Sequence, residues 1–160
     1  MATEQENAQN FAIQRVYVKD LSFESPNAPH VFKEEWNPEV DMDLDTTEEK
    51  LADNVYHVVV HITATAKKDG KTVFLIEVQQ AGIFTLEGFA GEQLEQVLGA
   101  FCPSVLFPYA REVISEASVR GGFPPLYIAP VNFDAYYMEK KQRATEQQSA
   151  VASNEELAPA

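Results

Sequence analysis

Between Phe11 and Val78 apolar side chains recur at every second position in several runs, the period of a strand with one covered face. Beyond Gly91 the recurrence lengthens to that of a helix. The first run, FAIQRVYVKDLSFE, is rich in β-branched and aromatic residues and stops at SPNAP. Its halves are out of phase, Val16 and Val18 falling in one frame and Leu21 and Phe23 in the other. A bulge near Lys19, or a strand covered on both faces, reconciles them. After a connector carrying Trp36, VDMDLD alternates strictly, with Val40, Met42 and Leu44 opposite Asp41, Asp43 and Asp45. It predicts a half-buried strand whose carboxylates discourage pairing at an edge. A long antiparallel hairpin follows: Tyr56, Val58, Val60, Ile62, Ala64 and Ala66 share one frame, and Thr72, Phe74, Ile76 and Val78 return from Asp69-Gly70. That dipeptide suits a tight turn with positive φ.

Leu94, Val97, Leu98 and Phe101 recur at helical spacing before Pro103, and Ala110, Val113, Ile114 and Ala117 do so after Pro108, ending at Gly121-Gly122. The two prolines are expected to break or kink this region into two pieces. GGFPPLYIAP reads as a proline-rich crossover, and NFDAYYMEKKQR begins a last helix capped by Asn132 or Asp134. Strands first and helices after give an α+β fold: a four-stranded antiparallel sheet with two main helices packed on one face. Residues 1–10 are expected to be a flexible N-terminal segment, 11–144 one domain, and 145–160 a disordered acidic tail.

A chain of 160 residues, 45% of them hydrophobic, has room for one such core. No run of about 18 apolar residues occurs, and the start MATEQENAQN lacks the basic and apolar stretches of a signal peptide. A soluble, cytoplasmic protein without direct membrane insertion is expected. The net charge of −13, with twelve Lys and Arg scattered along the chain, argues against a nucleic-acid partner. Nine carboxylates between Glu34 and Asp53 face Lys50 alone, either as a solvated face or as a docking surface for a basic partner.

The motifs that would carry chemistry fail on their own terms. Asp41, Asp43 and Asp45 copy the first ligands of a calcium loop, but Thr46 stands where glycine is needed and Ala52 where glutamate is needed. His57 and His61 on a strand would stand about 13 Å apart, too far to share a metal. Cys102, the only cysteine, excludes an internal disulfide and sits in an apolar segment before Pro103, with His30 distant in sequence. No glycine-rich phosphate loop is present. Neither an enzyme, nor a cofactor, nor a metal is expected. What is present is surplus apolar surface: Trp36, the crossover from Phe123 to Ile128, and Leu75 outward beside Glu77 and Gln79. Cover by another subunit or a ligand is one reading, an internal core the other.

RVYVKDLSFESPNAP, EVQQAGIFTLEGF, GAFCPSVLFPYAREVIS and RGGFPPLYIAPVNFDAYY, in that order between Ile13 and Tyr137, closely resemble SecB, the bacterial protein-export chaperone family. The resemblance implies a homotetramer, a dimer of dimers, that binds unfolded precursor proteins in the cytosol without nucleotide and delivers them to the SecA motor. It assigns Asp20, Glu24, Leu75 and Glu77 to a flat SecA-docking surface, and Ile76, Val78 and Gln80 to subunit association. It implies a client groove, expected at Trp36, Val40, Met42, Leu44, Phe123, Leu126 and Tyr136. The alternative within the same fold is a chaperone dedicated to a single antitoxin partner.

Overall fold

The computed structural model describes residues 8–156. Four strands, β1 (Asn10–Glu24), β2 (Glu39–Ala52), β3 (Val55–Lys68) and β4 (Lys71–Glu87), form one antiparallel sheet in the order β1-β4-β3-β2. The hairpin between β3 and β4 turns at Asp69 and Gly70, whose φ of 50° and 77° match the right-handed twist of the strands they join. The phase conflict in β1 resolves as a bulge: Val18 pairs with Gln80 and Asp20 with Gln79, leaving Lys19 out of the ladder. The extra residue brings Val16, Val18, Leu21 and Phe23 onto one face. β2 runs on to Ala52, past the alternating VDMDLD, because an edge strand needs no apolar partner row where nothing covers it.

Helices cover one face of the sheet. Helix α1 (Gly91–Gln96), a π-helical segment (Val97–Phe101) and helix α2 (Cys102–Arg120) run without interruption, so the expected break at the prolines does not occur. In the π segment the Cys102 N–H reaches back to the Val97 carbonyl, and this wider turn sets Pro103 in the first turn of α2, where a missing N–H costs little. Pro108 and Ser104 lie on the exposed side, so the carbonyl that Pro108 leaves without a donor faces solvent. The helix Gly91–Arg120 is long and apolar enough to cross a membrane by length and composition, but its apolar side packs on the sheet. There Leu98, Ala100, Cys102, Leu106, Ala110 and Ile114 meet Val58, Val60, Ile62, Phe74, Ile76, Val78 and Phe84. Full burial of each large side chain is worth about 1.5–3 kcal/mol.

After the crossover, α3 (Phe133–Glu156) starts with Asn132 as its cap, the Asn132 Oδ1 accepting from Ala135 N–H at 3.1 Å. It continues through residues 145–156, where a disordered tail was expected. Alanine, glutamine and glutamate there are good helix formers, and Thr145, Ser149 and Ser153 each return their hydroxyl to the carbonyl four residues back. Residues 157–160 of the expected tail and 1–7 of the expected flexible start lie outside the described residues.

Candidate functional site

Strand parity sorts the expected residues onto two faces. On the helix-covered face, Phe74 stands at the centre of an aromatic cluster. Phe123 stacks obliquely on it at 5.1 Å, Trp36 lies parallel to it at 6.1 Å and 5.5 Å from Phe123, and Phe23 and Phe32 complete the group. Such pairs add about 0.5–1.5 kcal/mol each beyond area burial, enough to hold a connector against the sheet. A cleft of about 150 Å³ opens over the cluster, lined by Phe32, Trp36, Val73 and Phe123, with Glu34, Glu35 and Lys68 at its mouth. Phe123 is its floor at 7% exposure, while Trp36 is 41% exposed. The Lys68 ammonium donates to the Glu35 carbonyl and so fixes the connector beside the hairpin.

The crossover is held by one serine. Ser118, buried in α2, accepts from the Leu126 N–H at its Oγ (2.9 Å), and its carbonyl accepts from Phe123 N–H at 3.0 Å. These bonds set Phe123 inward and leave Leu126 half-buried against the core.

Beyond the cleft, Val40, Met42 and Leu44 follow one another along the helix-side face of β2, at 42% and 37% exposure for the first two and half-buried for Leu44. Tyr136 closes the row from above, its hydroxyl donating to Leu44 C=O at 3.4 Å and to the Asp45 carboxylate at 3.2 Å. Lys140, one turn on, pairs with Asp45 at 3.0 Å and donates to the Thr46 carbonyl at 2.6 Å. Partial burial works to raise the Asp45 carboxyl. The hydrogen bond from Lys140, with those from the Thr46 N–H and Tyr136, outweighs it and holds the group below the usual carboxylate range. Of the seven expected groove residues, Trp36 and Phe123 line the cleft, Val40, Met42 and Leu44 share one face of β2 with Tyr136 bonded at its Leu44 end, and Leu126 packs against the core outside the cleft lining. Sequence reasoning missed Phe74, which reads as ordinary core, and Lys140, which no local pattern singles out.

Among the described residues no helix covers the opposite face. Glu24 pairs with Leu75, Ser22 with Glu77 and Asp20 with Gln79 in neighbouring strands, so Asp20, Glu24, Leu75 and Glu77 form one patch. Tyr17 and His57, joined at 2.6 Å between the hydroxyl and Nε2, lie further along the same face, where Val59 and Ala81 are buried.

The parity of Ile76, Val78 and Gln80 puts them beneath α2, at 0%, 2% and 2% exposure, so within the single chain their side chains are buried. Their ladder partners on β1, Phe23, Leu21 and Val18, flank a hollow shared with Val113, Glu116 and Arg120 of α2, and Val18 and Leu21 are 43% and 46% exposed. Gln80 Nε2 donates to the Tyr17 carbonyl at 3.1 Å and its Oε1 has no partner among the described residues.

Cys102 is fully buried, and burial, with Glu48 adding to it, pushes its thiol up to about 12, so no thiolate forms at neutral pH. His30 stands by the Lys68–Lys71 turn, on a different element. Among the described residues no three His, Cys, Asp or Glu side chains converge as metal ligands.

The family model described as preprotein translocase subunit SecB matches residues 4–144. A protein-export protein SecB of Hahella chejuensis is 57% identical over 142 residues, covering 89% of each chain. The protein of the same description from Marinobacter nauticus is 50% identical over 153 residues, 96% of this chain and 93% of its own. Among solved structures, a SecB-like chaperone of Mycobacterium tuberculosis, in complex with a peptide from the HigA1 antitoxin, shares the fold with a TM-score of 0.65 at 16% identity, over 76% of this chain and 90% of that one. Matched in sequence along most of its length and in the layout of sheet and helices, the chain belongs to the SecB family of protein-export chaperones.

Proposed function

We propose that the protein is an ATP-independent holdase of the cytosol that keeps unfolded precursor proteins competent for translocation and delivers them to SecA. The observation that carries this reading is the row of apolar and aromatic side chains from Trp36 to Tyr136, half-open in a folded chain. A surface for unrelated clients needs adaptable apolar area and free backbone groups instead of a shaped pocket, and the cleft with its neighbouring edge strand offers both. The patch of Asp20, Glu24, Leu75 and Glu77, flat and uncovered by helices, suits a basic region of SecA.

A homotetramer, a dimer of dimers, fits the apolar groups left exposed along β1 and the long helix, among them Ile13, Val18, Leu21, Phe101, Tyr109 and Val119. Ile76, Val78 and Gln80 would then act on assembly through the β1 residues they pair with. Linking several grooves in one particle sums weak contacts with a long client into useful avidity. The antitoxin-dedicated alternative is not favoured: it rests on a fold-level likeness, whereas the relatives at 50% and 57% identity are export proteins.

The test is suppression of aggregation while a chemically denatured protein refolds, without nucleotide. Suppression at stoichiometric chaperone, unchanged by added ATP, supports the reading, and no suppression at any ratio ends it.

A further inference from the structure

β2 is a terminal strand, so among the described residues one of its sides has no strand to pair with. In an antiparallel strand the N–H and C=O of one residue point the same way, so alternate residues offer both groups to the open side. Leu44 and Thr46 are two of these, and three of their four open-side groups are taken by side chains. Tyr136 donates to the Leu44 carbonyl at 3.4 Å, Lys140 donates to the Thr46 carbonyl at 2.6 Å, and Asp45, gripped by Lys140, accepts from the Thr46 N–H at 2.9 Å. Four helix residues rise about 6 Å and two strand residues about 6.6 Å, so Tyr136 and Lys140 match the spacing of the strand's open carbonyls.

Val40 and Met42 share the parity of Leu44 and Thr46, and no hydrogen bond among the described residues joins α3 to them. Their side chains are exposed beside the Trp36 connector. Every described side chain of α3 from Met138 to Asn154 is exposed, so the helix is held by its first two turns: Phe133 against Phe107, Tyr136 and Lys140 on β2, and Tyr137 against Gly99.

We propose that α3 is a clasp on the β2 edge: an extended client segment pairs with the open backbone at Val40 and Met42, and lengthens its pairing across Leu44 and Thr46 only by displacing Tyr136 and Lys140. The inference rests on the holdase reading and adds to it a mode of capture, addition of a strand, and a gate on its length. An extended peptide fits this edge because it supplies the same donors and acceptors as the helix side chains. Asp41 and Asp43, on the reverse face of β2, favour segments carrying Lys or Arg at alternate positions.

The experiment uses the full chain and a reduced, alkylated, dye-labelled polypeptide that stays unfolded. Affinity is read by fluorescence anisotropy and edge pairing by amide hydrogen exchange. For wild type, bound polypeptide slows exchange at Val40 and Met42. Lys140→Gln lowers the Kd about three- to tenfold by raising the competent fraction, and extends the slowed region to Leu44. Lys140→Arg, which keeps the charge and donors, stays at the wild-type value. The proposal is overturned by binding without protection at Val40 and Met42, or by a folded Lys140→Gln protein that binds no tighter than wild type. A wild-type protein that binds no unfolded chain overturns the holdase reading, and the competition with it.

Discussion

At the scale of single residues, the side chains with the most chemical potential are the ones the fold silences. Cys102, with its thiol raised to about 12 by burial, should resist iodoacetamide at pH 8 while the protein is folded and react within minutes once urea unfolds it. Alkylation of the native protein at the rate of a free thiol would contradict that placement. Ser118 is the reverse case, an unremarked serine on which the crossover depends. Ser118→Ala should cost about 1–2 kcal/mol in urea unfolding, because the part-buried Leu126 N–H loses its acceptor. Neither the serine nor Lys140 was legible beforehand, since each acts through a backbone group brought close only by the tertiary fold. By contrast, the frames of Val58 to Ala66 and Phe74 to Val78 were readable, because a strand's period of two survives in sequence whatever lies above it.

At the scale of elements, the uncovered sheet face and the start of α3 make separable predictions. Leu75→Gln or Glu77→Lys should abolish SecA binding in a pull-down while unfolded chains still bind, since both side chains lie on the face away from the groove. Loss of both activities together would mean that the sheet itself had been damaged. The α3 contact should loosen in acid. The Asp45 carboxyl sits below its ordinary 3.8 in the folded chain, so its stabilisation is present above that value and is lost as the pH falls through the lowered one. Lys140 and Asp45 are about half exposed, which limits the pair to less than about 1 kcal/mol. Exchange of amides in the first two turns of α3 should therefore quicken below pH 3.8 in wild type and lose that dependence in Asp45→Asn. Element type was largely legible; the out-of-phase apolar frames of the first strand left a bulge near Lys19 and a strand covered on both faces as alternatives, and the register decides for the bulge. The unbroken helix through Pro103 was not, since a π turn is a backbone solution that leaves no mark in residue type. Helix at 145–156 was hidden by polar composition, which suits a solvated helix as well as a disordered tail.

At the scale of the whole molecule, a negatively charged chain leaves apolar surface exposed on one side of its sheet and carboxylates on the other. Light scattering should give a mass about four times 17.9 kDa, and a monomer would remove the avidity on which weak grooves depend. Encounter with basic clients should slow as salt rises, given the net charge of −13. The central claim is that unfolded chains settle on the aromatic cleft. Because Trp36 is the only tryptophan and is 41% exposed, its fluorescence reports on that cleft directly. Titration with a tryptophan-free unfolded polypeptide should shift the emission to the blue and reduce quenching by acrylamide, saturably and without nucleotide; an unchanged spectrum and unchanged quenching at saturating client would contradict the account.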